Sequence, residues 1–279
     1  MIDTLYGSIS DGAIGVFDSG VGGLTCVKEL IRLMPNEDII YLGDTARVPY
    51  GTRSRATIAR YARQDIAFME KHNVKLLLVA CGTVSSVMAS EPIFEGTNIT
   101  CYSGVIIPAA DAACEATRNK KIGVIATPAT IRSGCYEYEI NRQRPDISVY
   151  SKACPLLVPL AENGYTAPGC QPAEFFVREY LSPLKEQGVD TLIMGCTHYP
   201  LFEDVMREFM GEGVTLISSS GVTAQQTYDA LKAQKALKPA SHKAKIELFC
   251  TDSVQLFKEN VTRFVGGDID CEISQCSLS

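Results

Sequence analysis

The sequence predicts an α/β fold built from two doubly wound halves, and three observations support this prediction. Seven apolar runs of strand length alternate with stretches of helical periodicity. The runs are nearly continuous in apolar residues, which is typical of parallel strands covered on both faces. An Ile-Gly-Val run occurs twice, at 14–16 and 122–124, so we expect a duplicated α/β unit rather than an array of short repeats.

The predicted strands are, in chain order, 13–18, 38–44, 75–81, 121–127, 190–196, 214–218 and 245–251. Between them, the stretch 54–71 is predicted to form an amphipathic helix with Ser54 as its N-cap. The apolar stripe of this helix consists of Ile58, Ala62, Ile66 and Met69.

The composition favours an ordinary globular protein with a small-molecule ligand. The chain has 279 residues, of which 46% are hydrophobic and 21% charged. Its net charge of −6 argues against nucleic acid or an anionic membrane as the main partner, because both require a basic face. No apolar run has the length of a bilayer span, and residues 1–12 lack the basic and apolar regions of a secretory signal. A cytoplasmic location is therefore expected.

The cysteine content indicates free thiols. The chain has 11 cysteines at scattered spacings without a Cys-x-x-Cys pair. An odd number in a chain without a recognisable signal suggests reduced thiols rather than a disulfide framework, and most of them would be small core residues.

Four candidate positions fall at the carboxyl ends of predicted strands. They are Asp18–Ser19, Cys81, Thr127 and Cys196. In open parallel sheets, ligands bind beyond these ends. Two like halves that face each other would bring Cys81 and Cys196 to one shared cleft.

The segment Gly-Val-Gly-Gly-Leu-Thr at 20–25 raises dinucleotide binding as an alternative. It follows a strand and opens a helix, and Asp44 ends the next strand, where a ribose-binding acid would stand. However, Thr25 occupies the third glycine position, and Asp18 would lie beside the pyrophosphate. The same helix start could instead bind the carboxylate of an amino acid.

A zinc site is a second alternative, with Cys81, Cys196 and His198 as ligands. Cys-x-His is the only close-spaced ligand pair among them, which is weak support for a metal. We therefore expect neither a metal nor an organic cofactor.

Two thiols across a cleft suit racemisation of an amino acid. One group acts as a base and removes the Cα proton from one face. A second group acts as an acid and gives a proton to the other face. A thiol can serve because its ordinary pKa lies near 8.5 and its surroundings can lower it. Asp18 and His198 are the side chains expected to assist proton movement.

Several motifs resemble those of the glutamate racemase family, from Ile14 to about Gly266. They are GVFDSGVGGLT, YLGDTARVPYGTRS, IGVIATPATI, ACPLLVPLAENG and GCTHYPL. The resemblance implies two α/β domains related by a pseudo-two-fold axis, with the substrate between them. The expected domains are 1–105 plus 219–279, and 106–218. It also implies a homodimer that needs no cofactor and supplies D-glutamate for peptidoglycan.

The resemblance also implies roles for individual residues. Cys81 would act on D-glutamate and Cys196 on L-glutamate, with Asp18 and His198 as further catalytic residues. The substrate-binding residues would be Asp18, Ser19, Tyr50, Gly51, Gly82, Thr83, Thr127, Glu162, Thr197 and His198.

Three positions depart from the family pattern. Gly82 stands where asparagine is usual, Ile107 where an acid is frequent, and Ser218 where aspartate is common. We expect Gly82 to leave a vacancy in the substrate pocket, so that turnover of glutamate is poor and Gly82→Asn improves it. Two other functions remain open: racemisation of aspartate or another amino acid, and a degenerate racemase that acts as a binding or regulatory protein.

Overall fold

Two parallel β-sheets organise the chain, which is described by a computed structural model over residues 11–278. Residues 1–10, which include most of the segment examined for a secretory signal, and Ser279 lie outside the described residues. The six strands of the first sheet are β1 (Ala13–Asp18), β2 (Ile39–Gly43), β3 (Val74–Val79), β4 (Tyr102–Gly104), β9 (Ile246–Cys250) and β10 (Glu272–Gln275). The four strands of the second sheet are β5 (Lys121–Ala126), β6 (Ser148–Ala153), β7 (Thr191–Met194) and β8 (Thr215–Ser218).

Helices connect the strands. The α-helices are α1 (Leu24–Leu33), α2 (Arg55–Met69), α3 (Gly82–Ser85), α4 (Ile106–Ala116), α5 (Pro128–Ser133), α6 (Cys135–Gln143), α7 (Leu157–Glu162), α8 (Gln171–Glu186), α9 (Glu203–Met210), α10 (Ser219–Ala233) and α11 (Val254–Val265). Short 3₁₀ helices cover Thr45–Arg47, Tyr50–Thr52 and Tyr199–Phe202. Among the described residues, no helix combines the length and apolar character needed to cross a membrane.

The two sheets share one strand order. The first sheet runs β10-β9-β2-β1-β3-β4, and the second runs β6-β5-β7-β8. In each sheet, the first four strands in sequence therefore lie in the order second, first, third, fourth. We call the first sheet and the helices on it the first half, and the second sheet and its helices the second half. The predicted internal repeat therefore corresponds to two sheets with the same order of their first four strands.

The repeated Ile-Gly-Val run has a packing reason in both halves. Gly15 of β1 pairs with Leu77 of β3, and a Cβ added at Gly15 would lie 2.9 Å from the Leu77 Cδ1 atom. Gly123 of β5 pairs with Leu192 of β7, and an added Cβ would lie 3.0 Å from the Leu192 Cδ1 atom. In each half, a leucine of the third strand covers the glycine of the first strand, so a side chain there would overpack the core.

The seven predicted strands are confirmed within one or two residues at their ends, as is the helix predicted over 54–71. Its N-cap is Ser54, whose hydroxyl accepts a hydrogen bond from the Thr57 amide at 3.3 Å. Three strands were not predicted, namely β4, β6 and β10. All three are edge strands, and their mixed or polar sequences lack the continuous apolar run of a central strand.

The chain crosses between the halves twice. It passes from β4 to α4, and it returns through α10 to β9. Helix α10 packs against α1 of the first half and against α4 of the second. The domain limits 1–105 plus 219–279 and 106–218 stay a prediction. Helix α10 contacts both halves and therefore cannot be assigned to one domain by its packing.

A buried ion pair anchors the returning segment. The Lys75 ammonium on β3 lies 2.7 Å from Glu37 Oε2 and donates a hydrogen bond to the Ala236 carbonyl at 2.7 Å. The other Glu37 oxygen accepts a hydrogen bond from the Lys238 amide at 2.6 Å. Both charged side chains are buried, so their pairing compensates part of the cost of removing each from water.

Candidate active site

The two candidate thiols occupy equivalent places in the two halves. Cys81 lies two residues beyond the end of β3, and Cys196 lies two residues beyond the end of β7. These are the third strands of their sheets, and both thiols are almost fully buried, with exposed fractions of 5% and 7%. All 11 cysteines of the chain are free, and none of them lies outside the described residues.

Cys81 lies beside the residues that follow β1. Its thiol donates a hydrogen bond to the Ser19 hydroxyl at 3.4 Å. The pKa of the Cys81 thiol is raised to about 12. Burial is the largest cause, and the negative charge of Asp18 is the second. A thiolate at Cys81 therefore needs a positive charge in the cleft, and the ammonium group of an amino acid can supply one.

Asp18 connects the halves at the end of β1. One carboxylate oxygen accepts hydrogen bonds from the Ser19 hydroxyl at 3.0 Å and the Gly20 amide at 3.1 Å. The other accepts a hydrogen bond from the Thr197 hydroxyl of the second half at 3.1 Å. The backbone of Thr197 is held as well, because the Thr25 hydroxyl donates to its carbonyl at 3.0 Å.

Cys196 has a histidine and a glutamate as neighbours. The Cys196 Sγ atom lies 3.8 Å from His198 Nδ1, and His198 Nε2 lies 3.0 Å from Glu162 Oε1. Burial alone would lower the pKa of His198, but the hydrogen bonds to Cys196 and Glu162 outweigh it and raise the pKa to about 10. Glu162 ends α7 and is 35% exposed, so the row of three side chains runs from the buried thiol toward solvent.

Three threonines form a second link between the halves. The Thr83 hydroxyl lies 3.0 Å from the Thr127 hydroxyl, which caps the start of α5 and lies 3.0 Å from the Thr130 hydroxyl. Gly51 approaches the same threonine, since an added Cβ would lie 3.1 Å from the Cβ of Thr127. The predicted residues Gly51, Thr83 and Thr127 therefore meet at one place.

Tyr50 differs from the other predicted binding residues. Its hydroxyl donates a hydrogen bond to Asp44 and lies 3.3 Å from Asp65 Oδ2. The buried phenol is thus held by carboxylates of its own half and positions the loop that contains Gly51. Asp44 also accepts hydrogen bonds from Arg47 and Thr251, so it is not available as the ribose-binding acid of the dinucleotide alternative.

The space expected to be vacant beside Gly82 is occupied in the structure, whereas the expected effect of Gly82 on turnover stays a prediction. A Cβ added at Gly82 would lie 2.5 Å from the carbonyl oxygen of Gly195, in the other half. The two glycines border the two thiols, because Gly82 follows Cys81 and Gly195 precedes Cys196. Backbone from the second half therefore fills the space where a larger side chain would begin.

The other two departures lie outside the thiol site. Ser218 caps α10, where its hydroxyl accepts a hydrogen bond from the Gly221 amide at 3.2 Å. Ile107 lines a cavity of about 830 Å³ between the halves. The charged residues Arg55, Glu91, Glu95 and Glu139 also line this cavity, and it includes neither Cys81 nor Cys196, so it is separate from the thiol site.

Sequence reasoning missed the glycines that let the halves approach each other. A Cβ added at Gly22 would lie 2.2 Å from the Thr197 hydroxyl oxygen, so the glycine-rich loop packs against the second thiol motif. The run Gly-Val-Gly-Gly was the available signal, but it was interpreted as a binding site for an anion. Within residues 11–278, no three His, Cys, Asp or Glu side chains gather as they would around a metal ion.

The fold and the site together define a class of protein: a parallel α/β chain of two like halves with a pair of thiols buried where the halves meet. A sequence profile of the Asp/Glu/Hydantoin racemase family matches residues 14–227. The chain belongs to this family.

Individual relatives match nearly the whole chain. The glutamate racemase of Geobacter metallireducens is 45% identical over 266 residues, which cover 95% of this chain and 97% of the relative. The crystal structure of the glutamate racemase isoform RacE1 from Bacillus anthracis is 37% identical, covers 96% of this chain and 98% of its own, and superposes with a TM-score of 0.88. The glutamate racemase of Francisella tularensis in complex with D-glutamate is 35% identical with the same coverage and a TM-score of 0.86.

Proposed function

We propose that this protein racemises glutamate and that Cys81 and Cys196 are the two acid/base residues. The equivalent placement of the two thiols, one beyond the third strand of each half, carries the proposal. Relatives named glutamate racemase at 41% and 45% identity support glutamate as the substrate.

The reaction needs one base and one acid on opposite faces of Cα. A thiolate removes the proton, so that an S–H bond forms as the C–H bond breaks and the electron pair stays on the carbanion. The opposite thiol then gives its proton to the other face of Cα. The protonation states of the two thiols are exchanged at the end, and they must re-equilibrate through solvent before the same direction repeats.

The surroundings of the thiols suggest how each handles its proton. We assign Cys196 to L-glutamate and Cys81 to D-glutamate, as the family resemblance implies. A protonated His198 places a positive charge 3.8 Å from Cys196 Sγ, and its contact with Glu162 offers a proton route toward solvent. Beside Cys81, the corresponding groups are the Ser19 hydroxyl and the Asp18 carboxylate.

The polar groups around the thiols complement an amino acid. The buried Asp18 carboxylate can accept a hydrogen bond from the substrate ammonium group. The Ser19 and Thr197 hydroxyls already donate to Asp18, so the linked hydroxyls of Thr83 and Thr127 are the ones that can donate to the carboxylates of the substrate. These groups are already held in place by hydrogen bonds, so they stabilise developing charge with little rearrangement.

We also propose the wider setting of the reaction. The protein would work in the cytoplasm as a homodimer without a cofactor, and its D-glutamate would serve peptidoglycan synthesis. Sedimentation tests the dimer, and dialysis against a chelator tests independence of metal. Depletion of the protein in its host, with and without added D-glutamate, tests the cell-wall role.

The decisive experiment follows the α-proton. The purified protein is incubated in D₂O with L-glutamate and separately with D-glutamate, and circular dichroism and proton NMR are recorded together. We expect loss of optical signal in both directions, with deuterium at Cα. Absence of both changes would contradict the proposal and favour the binding-protein alternative.

The same assay with aspartate and alanine separates the enzyme alternatives. Faster racemisation of aspartate than of glutamate would indicate that the protein is an aspartate racemase. A double Cys81→Ser/Cys196→Ser protein is the matched control, because it retains the remaining polar groups of the site and lacks both bases.

A further inference from the structure

Helix α11 of the first half contacts the row of side chains beside the second thiol. This helix lies between β9 and β10 and packs against α1. The row itself belongs to the second half, because His198 follows β7 and Glu162 ends α7. Two consecutive residues of α11, Arg263 and Phe264, make the contacts between this helix and the row.

Phe264 packs against the imidazole of the row. The Phe264 and His198 ring centroids lie 5.3 Å apart and the ring planes are at 90°, which is a favourable edge-to-face arrangement. Phe264 is fully buried and His198 almost so. The glycine-rich loop of the first half is also close, since a Cβ added at Gly22 would lie 2.5 Å from His198 Nδ1. The first half therefore restricts how the imidazole can turn.

Arg263 holds the end of α7. Its Nη1 atom donates a hydrogen bond to the carbonyl of Glu162, and the last carbonyls of a helix have no partner within that helix. The same nitrogen donates to Asn260 Oδ1 at 3.2 Å, which orients the guanidinium. The guanidinium also covers Gly164, where an added Cβ would lie 3.4 Å from Arg263 Nε. The first half thus fixes the backbone of the residue whose carboxylate contacts His198.

We propose that Arg263 is a positioning residue, which keeps the Glu162 carboxylate on His198 by fixing the backbone of Glu162. The Glu162 side chain is 35% exposed and has several rotatable bonds, so a fixed backbone reduces the number of places its carboxylate can reach. This inference rests on the proposed function, in which the row carries protons between Cys196 and solvent. It adds that a helix of the opposite half completes this route.

The test observes His198 directly by NMR, without substrate. The chain has three histidines, so a protein labelled with ¹⁵N-histidine gives few side-chain signals, and His198→Gln assigns the one of interest. We expect Arg263→Met to lower the pKa of His198 by about one pH unit, because a carboxylate partner that is less well held favours the protonated imidazole less. The control is Lys258→Met, which removes a positive charge from an exposed position more than one turn earlier on α11 and should leave the pKa unchanged.

The direction of the change separates positioning from simple charge. The charged and titratable groups around His198 are Cys196 and Glu162 of the second half, together with Asp18, which accepts a hydrogen bond from Thr197, and Arg263 of the first half. Loss of a nearby positive charge alone would raise the pKa of His198. A raised or unchanged pKa in Arg263→Met would therefore overturn the proposal.

A double-variant cycle shows whether Arg263 acts through Glu162. Glu162→Gln removes the carboxylate and should lower the pKa of His198 further than Arg263→Met does. If Arg263 acts only by holding that carboxylate, Arg263→Met/Glu162→Gln should show no additional decrease. An equal decrease on adding Arg263→Met to the parental protein and to Glu162→Gln would contradict the proposal.

Thermal unfolding of each variant accompanies the titrations. Arg263 is exposed, so we expect Arg263→Met to unfold near the parental temperature, and Arg263→Ala is a second variant of the same kind. If neither folds, Arg263 supports the fold as a whole and the proposal is wrong. The NMR signal does not depend on turnover, so a protein that racemises nothing contradicts the proposed function and leaves this test intact.

Discussion

The Thr197 hydroxyl donates a hydrogen bond to the Asp18 carboxylate at 3.1 Å, and this bond joins the two halves beside the second thiol. Asp18 ends β1, whereas Thr197 follows Cys196. The two thiol segments are therefore coupled through a first-half carboxylate that also receives the Ser19 hydroxyl next to Cys81.

Removal of this hydroxyl tests the coupling. We expect Thr197→Val to lower kcat/KM by about ten- to a hundredfold, because a hydrogen bond to a charged group contributes about 1.5–3 kcal/mol. Thr197→Ser keeps the hydroxyl and should retain most of the activity. Steady-state kinetics in both directions provide the measurement, and equal losses in the two variants would assign the effect to the methyl group instead.

Replacement of either thiol should abolish racemisation. We expect Cys81→Ser and Cys196→Ser each to reduce the rate by several powers of ten, because a serine hydroxyl is a far weaker acid than a thiol. Cys271→Ser, at a half-exposed position outside the site, is the control. Racemisation at the parental rate by either active-site variant would exclude a two-base scheme.

The raised pKa of His198 predicts how stability depends on pH. Since the pKa rises from 6.5 to about 10 on folding, protonated His198 stabilises the fold fully below pH 6.5, and this contribution is lost as the pH rises toward 10. Glu162→Gln removes one of the interactions that raise the pKa, so the loss should begin at lower pH. Thermal unfolding of both proteins from pH 6 to pH 10 checks this, and identical profiles would contradict it.

The buried Lys75–Glu37 pair predicts an asymmetric effect of substitution. Lys75→Met leaves the Glu37 carboxylate buried without its cation and should lower the free energy of unfolding by about 3–5 kcal/mol. Lys75→Met/Glu37→Leu removes both charges and should recover much of that loss. Urea unfolding measures both, and a double variant no more stable than Lys75→Met would show that the charged pair itself stabilises the returning segment.

The central strands and the thiol positions could be predicted because they depend on local pattern. A parallel strand buried on both faces has a continuous apolar sequence, and Cys81 and Cys196 follow such runs directly. The edge strand β6 mixes polar and apolar residues, so no such run marks it.

The contacts between the halves could not be predicted in the same way. Gly82 and Gly195 are more than a hundred residues apart, and their approach depends on how two folded sheets are placed. From sequence alone, a glycine at position 82 indicates a missing side chain. In the structure, the same glycine accommodates the backbone of the opposite half. The effect of Gly82→Asn on turnover stays a prediction.

The discontinuity of the first sheet has a consequence for synthesis on the ribosome. Among the described residues, the second sheet is complete once Ser218 has emerged, whereas the first sheet still lacks β9 and β10, which follow later in the sequence. Domains generally fold as units during translation. The second half can thus reach its native arrangement before the first half does, and the nascent chain carries an open β2 edge until β9 is made.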